Sequence, residues 1–179
     1  MKFKVFKFNN VKSTNDTAIK IIKKSNVEYG MIISNSQNKG RGQYGKKWIS
    51  YKGNLFVSFF YKLEDLTTSI KQLTKINCFL VKKLISIYYK KKIVFKKPND
   101  LLINRKKICG ILQETLTKID KKYLIVGIGI NLIKNPLIKN YPTTNLYELI
   151  NKRVSKIKIL DELKEIFELR LTKIYKKVK

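Results

Sequence analysis

The most informative absence in this sequence is histidine, which does not occur anywhere in the 179 residues. Its absence excludes the Ser/His and Cys/His pairs that activate protein nucleophiles, and it excludes most zinc sites. Only two cysteines are present, Cys78 and Cys109, far apart in apolar segments and without the spacing of metal ligands. We interpret both as small core residues of a protein in a reducing compartment.

Long apolar runs are also missing. No uninterrupted stretch is long enough to span a bilayer, and residues 1–4 lack the apolar segment of a signal peptide. We therefore expect a soluble, cytoplasmic protein that does not bind a membrane. The hydrophobic fraction of 44% excludes global disorder, and 179 residues suit one domain with a sizeable core.

Acidic residues are scarce, with 12 Asp and Glu against 40 Lys and Arg, so the formal net charge is +28. A charge of this size would ordinarily indicate nucleic acid or an anionic membrane as a partner. However, only four of the basic residues are arginine, and the lysines are spread over every segment. Nucleic-acid binders more often concentrate arginine and aromatic residues on one face. We therefore predict no specific DNA binding, only weak binding to polyanions at low salt.

Hydrophobic periodicity predicts an α+β fold, in which a mostly antiparallel mixed sheet is packed with two long helices and a short one. The predicted strands are residues 2–8, 31–36, 55–61, 93–97, 101–103, 107–113 and 123–132. The predicted helices begin at residues 13–16, cover residues 68–89, and run from about residue 157 to the C-terminus. The lysines of the first strand suit a sheet edge. We expect turns at Asn9-Asn10 and Asn104-Arg105 and a loop at residues 135–145.

The most distinctive segment is residues 40–48, with the sequence GRGQYGKKW. Its three glycines allow the backbone to turn sharply and to approach a ligand closely. Arg41 offers a fork of donors that suits carboxylate or phosphate oxygens. The segment therefore predicts a loop that wraps an anionic ligand, and the alternative interpretation is a solvated basic turn.

Three further segments carry residues that could serve a ligand site. Residues 13–15 (STN) suit a helix N-cap, and a helix N-terminus also presents free N–H groups to a polar ligand. Gly110 lies inside a predicted strand and suggests that another group approaches the backbone there. The glycines of residues 127–131 (GIGIN) are also typical of a β-bulge in a crowded sheet.

Taken together and in this order, five segments resemble the motifs of biotin–protein ligases. The correspondences are residues 13–15 (STN) with STN, residues 40–48 with GRGRxGRxW, residues 95–100 (FKKPND) with KWPND, residues 107–114 (KICGILQE) with KxxGILxE, and residues 127–131 with GIGIN. The resemblance covers nearly the whole chain. It implies a fold shared with lipoate ligases and related to class II aminoacyl-tRNA synthetases.

The resemblance also implies a two-step reaction that uses ATP and Mg²⁺. Biotin is activated as biotinyl-5′-AMP and then transferred to a lysine of a biotin carboxyl carrier protein, such as that of acetyl-CoA carboxylase. The composition is compatible with this chemistry, because neither step needs a protein nucleophile.

The resemblance further implies roles for individual residues. Arg41 and Lys107 are expected to supply catalytic positive charge where negative charge develops, and Asp100 is expected to place Mg²⁺. Biotin is expected to contact Ser13, Thr14, Asn15, Gln37, Gly40, Arg41, Lys107 and Gly110. ATP and the adenylate are expected to contact Arg41, Gly42, Gln43, Lys46, Trp48, Asn99, Lys107 and Asn131.

Two positions depart from the family pattern. Gln43 replaces the usual second arginine of the loop, which predicts weaker retention of the adenylate. Lys97 replaces the tryptophan of KWPND, which removes a packing contact. We expect residues 1–179 to form a single catalytic domain without an N-terminal helix-turn-helix domain or a C-terminal SH3-like domain, and to be monofunctional and a monomer or weak homodimer.

Two alternative functions remain open at this point. A lipoate or octanoyl ligase would share the fold, although those enzymes usually carry a glycine motif with a histidine. A basic nucleic-acid-binding module would explain the charge alone.

Overall fold

The computed structural model describes residues 1–63 and 68–176. The strands are β1 (Lys4–Val11), β2 (Tyr29–Gln37), β3 (Leu55–Lys62), β4 (Val94–Lys96), β5 (Asp100–Ile103), β6 (Lys106–Lys118) and β7 (Lys121–Ile130). The helices are α1 (Thr14–Lys24), α2 (Ile70–Tyr88), α3 (Leu146–Ile150) and α4 (Lys156–Lys176). Across these two ranges, none of the helices combines the length and the apolar character needed to cross a membrane.

The seven strands form one sheet in the order β1-β2-β3-β7-β6-β5-β4. Strands β1 and β2 are parallel, and every other neighbouring pair is antiparallel. The predicted α+β class with a mostly antiparallel sheet is therefore confirmed. The predicted edge position of the first strand is confirmed as well, because β1 has a neighbour on one side only.

Helices α2 and α4 cover one face of the sheet and enclose the larger core. Phe59 of β3 stacks on Phe167 of α4 with ring centroids 4.2 Å apart. Both cysteines are free and buried in this core. Burial raises the pKa of the Cys78 thiol to about 12, so this thiol stays neutral and is a poor nucleophile. The interpretation of Cys78 and Cys109 as small core residues is confirmed.

Helix α1 covers part of the opposite face. Ala18 and Ile22 are fully buried and pack in a second cluster that includes Phe60. The helix begins after Ser13, whose side chain accepts a hydrogen bond from the backbone N–H of Asp16. This geometry confirms the N-cap. Because α1 does not extend over the whole face, part of the β6–β7 surface remains open to the cleft described below.

Two features of the fold differ from what the local sequence patterns predict. The turn predicted at Asn9-Asn10 is wrong, because β1 continues to Val11 and Asn10 pairs with Ser36 of β2. Pairing between strands overrides the weak turn preference of asparagine here. Helix α3 was not predicted, since its five residues are too few to show a helical period.

The predicted hairpin turn at Asn104-Arg105 is confirmed, and both residues have positive φ, 49° and 63°. Positive φ at both central residues is the type I′ geometry, which is common in two-residue hairpin loops. The predicted final helix is observed from residue 156, and its predicted continuation beyond residue 176 lies outside the described residues.

Candidate functional site

A cleft of about 820 Å³ opens on the sheet face that α1 leaves uncovered. Its walls are the N-terminus of α1, residues 41–49, the corner at residues 96–100, and residues 136–143 from the connection between β7 and α3. Strands β6 and β7 form its floor. Every residue predicted for the site lines this cleft except Gly40, so segments far apart in sequence are brought together.

Gly40 lies directly behind the cleft wall. A Cβ atom at this position would come within 2.5 Å of the Trp48 carbonyl oxygen and 2.9 Å of Ser50 Oγ. Such contacts are too short for any side chain. Glycine at this position therefore serves the packing of the loop base.

The glycine-rich loop, residues 40–48, folds as a short hairpin. The backbone N–H of Trp48 donates to the Gly40 carbonyl at 2.9 Å, and the N–H of Gly42 donates to the Lys46 carbonyl at 2.6 Å. At the tip, Tyr44 and Gly45 both have positive φ, and the Tyr44 side chain is 89% exposed. The loop is thus a formed wall with an exposed tip.

The indole ring of Trp48 lies on the glycines of the cleft floor. A Cβ atom at Gly110 would be 2.7 Å from Trp48 Cζ3, and one at Gly129 would be 2.5 Å from Trp48 Cζ2. The group expected to approach the backbone at Gly110 is therefore this indole ring. Within the described ranges, Trp48 Nε1 is buried and has no hydrogen-bond partner.

Asn15 connects α1 to the floor. Its Nδ2 donates to Glu114 Oε2 at 2.7 Å and to the Leu112 carbonyl at 3.4 Å, and its Oδ1 accepts from Ser58 Oγ at 2.6 Å. The missing side chain of Gly127 makes room for this amide, since a Cβ there would be 2.9 Å from Asn15 Cγ. Both donors of Asn15 are used within the protein, so a contact with biotin would have only a lone pair of Oδ1 available.

Arg41 is held by two carboxylates. Its Nη1 and Nη2 atoms donate to the two Glu114 oxygens at 2.9 and 2.7 Å, and Nη2 also lies 2.8 Å from Asp16 Oδ1. Burial alone would lower the pKa of Arg41, but the bonds to Glu114 and Asp16 raise it above its ordinary value. The guanidinium therefore stays charged and fastens the loop to β6 and α1. Its Nε atom is buried without a partner among the residues described.

The residues predicted around the biotin ring also bond to one another. The backbone N–H and the hydroxyl of Thr14 donate to Gln37 Oε1 at 2.8 and 3.1 Å, and Gln37 Nε2 donates to Ser50 Oγ at 3.2 Å. Ser13 is 2% exposed and caps α1. These bonds hold the polar end of the cleft in a defined shape, with the Thr14 hydroxyl oxygen left as an acceptor.

Lys107 occupies the other end of the cleft. Its Nζ lies 2.8 Å from Asp100 Oδ1, and it also lies 5.4 Å from the ring centroids of both Trp48 and Tyr141. Tyr141 in turn donates its hydroxyl proton to Asp100 Oδ2 at 2.5 Å. The ammonium group is therefore placed by one carboxylate between two aromatic faces, which favour a cation.

Comparison with known proteins places this arrangement in a family. The sequence profile of the biotin/lipoate A/B protein ligase family matches residues 7–131. The chain belongs to this family. The matched segment includes α1, the glycine-rich loop and Lys107.

Individual relatives agree with this assignment. The bifunctional ligase/repressor BirA of Bacillus subtilis is 28% identical over 166 residues, covering 88% of this chain and 50% of that protein. Biotin–protein ligase 2 of Arabidopsis thaliana is 37% identical over 120 residues, covering 60% of this chain and 35% of that protein. The chain thus spans about half the length of BirA and about a third of the plant relative.

A similar solved structure is the biotin protein ligase from Aquifex aeolicus in complex with biotin and ATP. Its TM-score is 0.81 at 29% identity, and the match covers 97% of this chain and 72% of that one. The biotin ligase fold predicted from the motifs is confirmed.

Two asparagines of this biotin/lipoate ligase domain were predicted to serve the nucleotide. Asn99 donates to the Ile111 carbonyl at 2.8 Å, and Asn131 donates to the Thr144 carbonyl at 3.1 Å. Asn131 is 2% exposed, and its Oδ1 is buried without a partner in the described part of the chain. A buried acceptor without a donor is costly, so Asn131 Oδ1 is suited to a ligand N–H.

Asp100 fits poorly as a ligand of a metal held by the protein alone. Lys107 occupies Oδ1 and the Tyr141 hydroxyl occupies Oδ2. Among residues 1–63 and 68–176 there is no group of three His, Cys, Asp or Glu side chains that could hold a metal ion. Within the described residues, a Mg²⁺ ion placed by Asp100 would therefore find no cluster of further protein ligands.

Sequence reasoning missed the partners of the two cations. Glu114 was present in the KxxGILxE motif, which offered a signal, but its contact with Arg41 spans 73 residues. Asp16 had no signal beyond its place in the first turn of α1. Tyr141 lies beyond residue 131, where the family match ends.

Proposed function

We propose that the chain is an ATP-dependent biotin–protein ligase domain, which forms biotinyl-5′-adenylate and transfers biotin to a lysine of a biotin carboxyl carrier protein. The observation that carries the proposal is the Lys107 ammonium group, held by Asp100 in a cleft of a biotin/lipoate ligase family member. The similar structure from Aquifex aeolicus contains both biotin and ATP.

In the first step, a carboxylate oxygen of biotin attacks the α-phosphorus of ATP. The bond from this phosphorus to the bridging oxygen breaks, and pyrophosphate leaves. Because two anions must meet, fixed positive charge lowers the barrier. The cleft supports this requirement. Among the described residues that line it, Asp100 is the only acidic one, and the basic ones are Arg41, Lys46, Lys47, Lys96, Lys97, Lys107 and Lys139.

We assign the central electrostatic role to Lys107 and a supporting role to Arg41. Asp100 places the Lys107 ammonium group through an ion pair, with Nζ 2.8 Å from Oδ1. The ammonium group carries three N–H donors, which it can offer to phosphate or carboxylate oxygens. Arg41 uses one N–H of Nη1 and both of Nη2 for Glu114 and Asp16, which leaves its Nε–H and the second Nη1–H for a ligand.

In the second step, the amine of an acceptor lysine attacks the carbonyl carbon of the adenylate. The bond from this carbon to the phosphate oxygen breaks, AMP leaves, and the amine proton passes to solvent. A mixed anhydride is easily hydrolysed, so water must be kept away until the acceptor arrives. The glycine-rich loop is suited to this task, because it forms one wall of the cleft.

The remaining roles follow the position of each residue in the cleft. We propose that Ser13, Thr14 and Gln37 hydrogen-bond the ureido ring, with the Trp48 ring against the apolar part of biotin. Gly40 would act indirectly, by allowing the base of the loop to pack. Asn99 and Asn131 would serve the nucleotide, and Asn15 would mainly hold α1 and Glu114 in place. The residues of the loop that would face the phosphates are Gly42, Gln43 and Lys46.

Biotin-dependent release of pyrophosphate in the presence of ATP and Mg²⁺ tests the proposal. Lys107→Met should reduce the rate by about 100-fold or more, because it removes a charge aimed at the transition state. Lys106→Met is the matched control, since Lys106 is the exposed neighbour on the same strand, and its rate should stay close to that of the unmodified chain.

The same assay decides between the alternatives. Release that depends on lipoate or octanoate and not on biotin would replace the proposal by a lipoate or octanoyl ligase. If neither biotin, lipoate nor octanoate causes pyrophosphate release and the chain binds oligonucleotides tightly at physiological salt, a nucleic-acid-binding module would be favoured.

The acceptor is tested separately. A purified biotin carboxyl carrier domain should gain one biotin with ATP present, and a variant of the carrier with arginine in place of its target lysine should gain none. Adenylate formation without any transfer to the carrier would confine the proposal to the first step.

A further inference from the structure

We propose that Tyr141 is a positioning residue, whose hydroxyl orients Asp100 so that Asp100 holds the Lys107 ammonium group in place; this inference rests on the proposed function. Tyr141 belongs to the connection between β7 and α3, outside every motif identified in the sequence. Its hydroxyl is 2.5 Å from Asp100 Oδ2, while Asp100 Oδ1 is 2.8 Å from Lys107 Nζ.

The first part of the argument concerns the carboxylate between the two partners. An aspartate side chain that contacts a lysine through one oxygen only can rotate about its Cβ–Cγ bond. The hydrogen bond from Tyr141 to the second oxygen opposes this rotation. Asp100 and Lys107 are both largely buried, with side chains 12% and 19% exposed, so water competes little for either oxygen.

The second part concerns the tyrosine ring. Lys96 Nζ lies 4.5 Å from the centroid of the Tyr141 ring, and Lys107 Nζ lies 5.4 Å from it. Two cations therefore hold the ring by its electron-rich face, and this contact does not require the hydroxyl. Burial and the hydrogen bond to Asp100 both raise the pKa of Tyr141, so the phenol stays protonated and can donate.

The third part is that the hydroxyl can be removed without releasing the connection that carries it. The backbone N–H of Lys107 donates to the Pro142 carbonyl at 2.8 Å, and the N–H of Thr144 donates to the Lys107 carbonyl at 3.0 Å. These bonds fasten the segment to β6 independently of any side chain. A phenylalanine at position 141 should therefore keep the fold and lose only the orientation of Asp100.

Kinetics of biotin-dependent pyrophosphate release provide the first test. Tyr141→Phe should lower kcat about 10-fold, with KM for biotin and ATP changed less than about twofold, because the interaction matters most where charge develops. Asp100→Asn should lower kcat at least as much. The double variant should be no slower than Asp100→Asn alone, since Tyr141 acts through Asp100.

Tyr147→Phe is the matched control for removal of a phenol, because Tyr147 lies on α3 and is 41% exposed. Its kcat should equal that of the unmodified chain. Additive effects of Tyr141→Phe and Asp100→Asn, or an unchanged kcat for Tyr141→Phe, would overturn the proposal.

A second measurement needs no enzymatic activity. Brief acetylation with acetic anhydride, read for each lysine by mass spectrometry, should label Lys107 several-fold faster in Tyr141→Phe than in the unmodified chain. Lys106 should be labelled equally in both. Equal labelling rates of Lys107 in Tyr141→Phe and in the unmodified chain would refute the positioning role. If the unmodified chain shows no biotin-dependent pyrophosphate release, only the proposed function is refuted.

Discussion

Two missing side chains, at Gly110 and Gly129, decide where the single tryptophan of the sequence can lie. The indole ring of Trp48 rests on both glycines, and a Cβ atom would clash with ring atoms, at 2.7 Å for Gly110 and at 2.4 Å for Gly129. By contrast, a Cβ at Gly45 would meet nothing within 4 Å, although φ at this residue is +73°. Glycine is thus used in two ways, for close approach on the floor and for backbone conformation at the loop tip.

This contrast leads to a prediction for two alanine variants. Gly129→Ala should displace the indole ring from the cleft floor and shift the Trp48 fluorescence maximum to longer wavelength. Gly45→Ala should cost about 1 kcal/mol through backbone strain and leave the spectrum unchanged. Emission spectra of both variants check the prediction, and identical spectra for all three proteins would contradict the observed position of the ring.

Gln43 is the second residue with a specific expectation, since the resemblance to biotin–protein ligases implies an arginine there. Gln43→Arg should slow the release of the adenylate several-fold, because a guanidinium would add a charge-assisted hydrogen bond to phosphate. The adenylate that is retained can be measured by rapid gel filtration after reaction with labelled biotin and no acceptor. Tyr44→Arg is the control, because it adds the same charge at the exposed tip and should not slow release of the adenylate. Equal release rates from Gln43→Arg and the unmodified chain would reject the prediction.

At the scale of secondary-structure elements, the glycine-rich loop is joined to α1 and β6 by one cluster of side chains. Glu114 of β6 accepts hydrogen bonds from Arg41 of the loop and from Asn15 of α1. Asp16 of α1 binds the same guanidinium. Three elements therefore meet at a single carboxylate, and the position of the loop depends on it.

We predict that Glu114→Gln loosens the loop, because a neutral amide cannot replace the bidentate pair with Arg41. Trypsin should then cleave after Lys46 or Lys47 several-fold faster, since cleavage requires local opening of the loop. Peptide mapping by mass spectrometry gives the rate. Asp161→Asn, an exposed change on α4, serves as the control; an equal rate for Glu114→Gln and this control would show that the pair does not hold the loop.

At the scale of the whole molecule, Glu168 joins the two ends of the described chain. Its Oε1 accepts from the backbone N–H of Phe3 at 2.8 Å, and its Oε2 accepts from Lys2 Nζ at 3.1 Å. Lys164 Nζ lies 3.2 Å from Oε1 within α4. The N-terminal segment is thereby tied to α4, the helix that closes the larger core.

This contact predicts a dependence of stability on pH. Burial by itself raises the pKa of Glu168, but the Phe3 N–H and the ammonium groups of Lys2 and Lys164 outweigh it. The pKa of this carboxyl therefore lies below its ordinary value. A carboxyl with a lowered folded-state pKa stabilises the fold fully above its unfolded value, and this stabilisation is lost as pH falls through the folded-state pKa.

Glu168→Gln should therefore cost about 1–3 kcal/mol at neutral pH and should flatten the loss of stability in acid. Urea denaturation between about pH 3 and about pH 7 measures both effects. Glu165→Gln, on the exposed side of α4, is the matched control and should follow the unmodified chain. A Glu168→Gln variant that loses stability in acid as steeply as the unmodified chain would contradict the assigned shift.

The sequence alone was sufficient for the order of the strands and long helices along the chain, the hairpin turn at Asn104-Arg105 and the N-cap at Ser13. These features depend on neighbours within a few residues, where periodicity and turn chemistry act directly. The sequence also predicted that the residues of the five motifs lie in one site, because their family resemblance carries spatial information that local patterns lack.

Only the tertiary structure decided what each charged side chain touches. Tyr141 is 41 residues from Asp100, and Glu114 is 73 residues from Arg41. No local preference can specify such pairs, since they depend on the packing of β6, the glycine-rich loop and the β7–α3 connection around one cleft. The sequence determined which cations are available. The fold determined that carboxylates hold Arg41 to the wall and Lys107 at the floor, because charges removed even partly from water require partners that only the folded chain supplies.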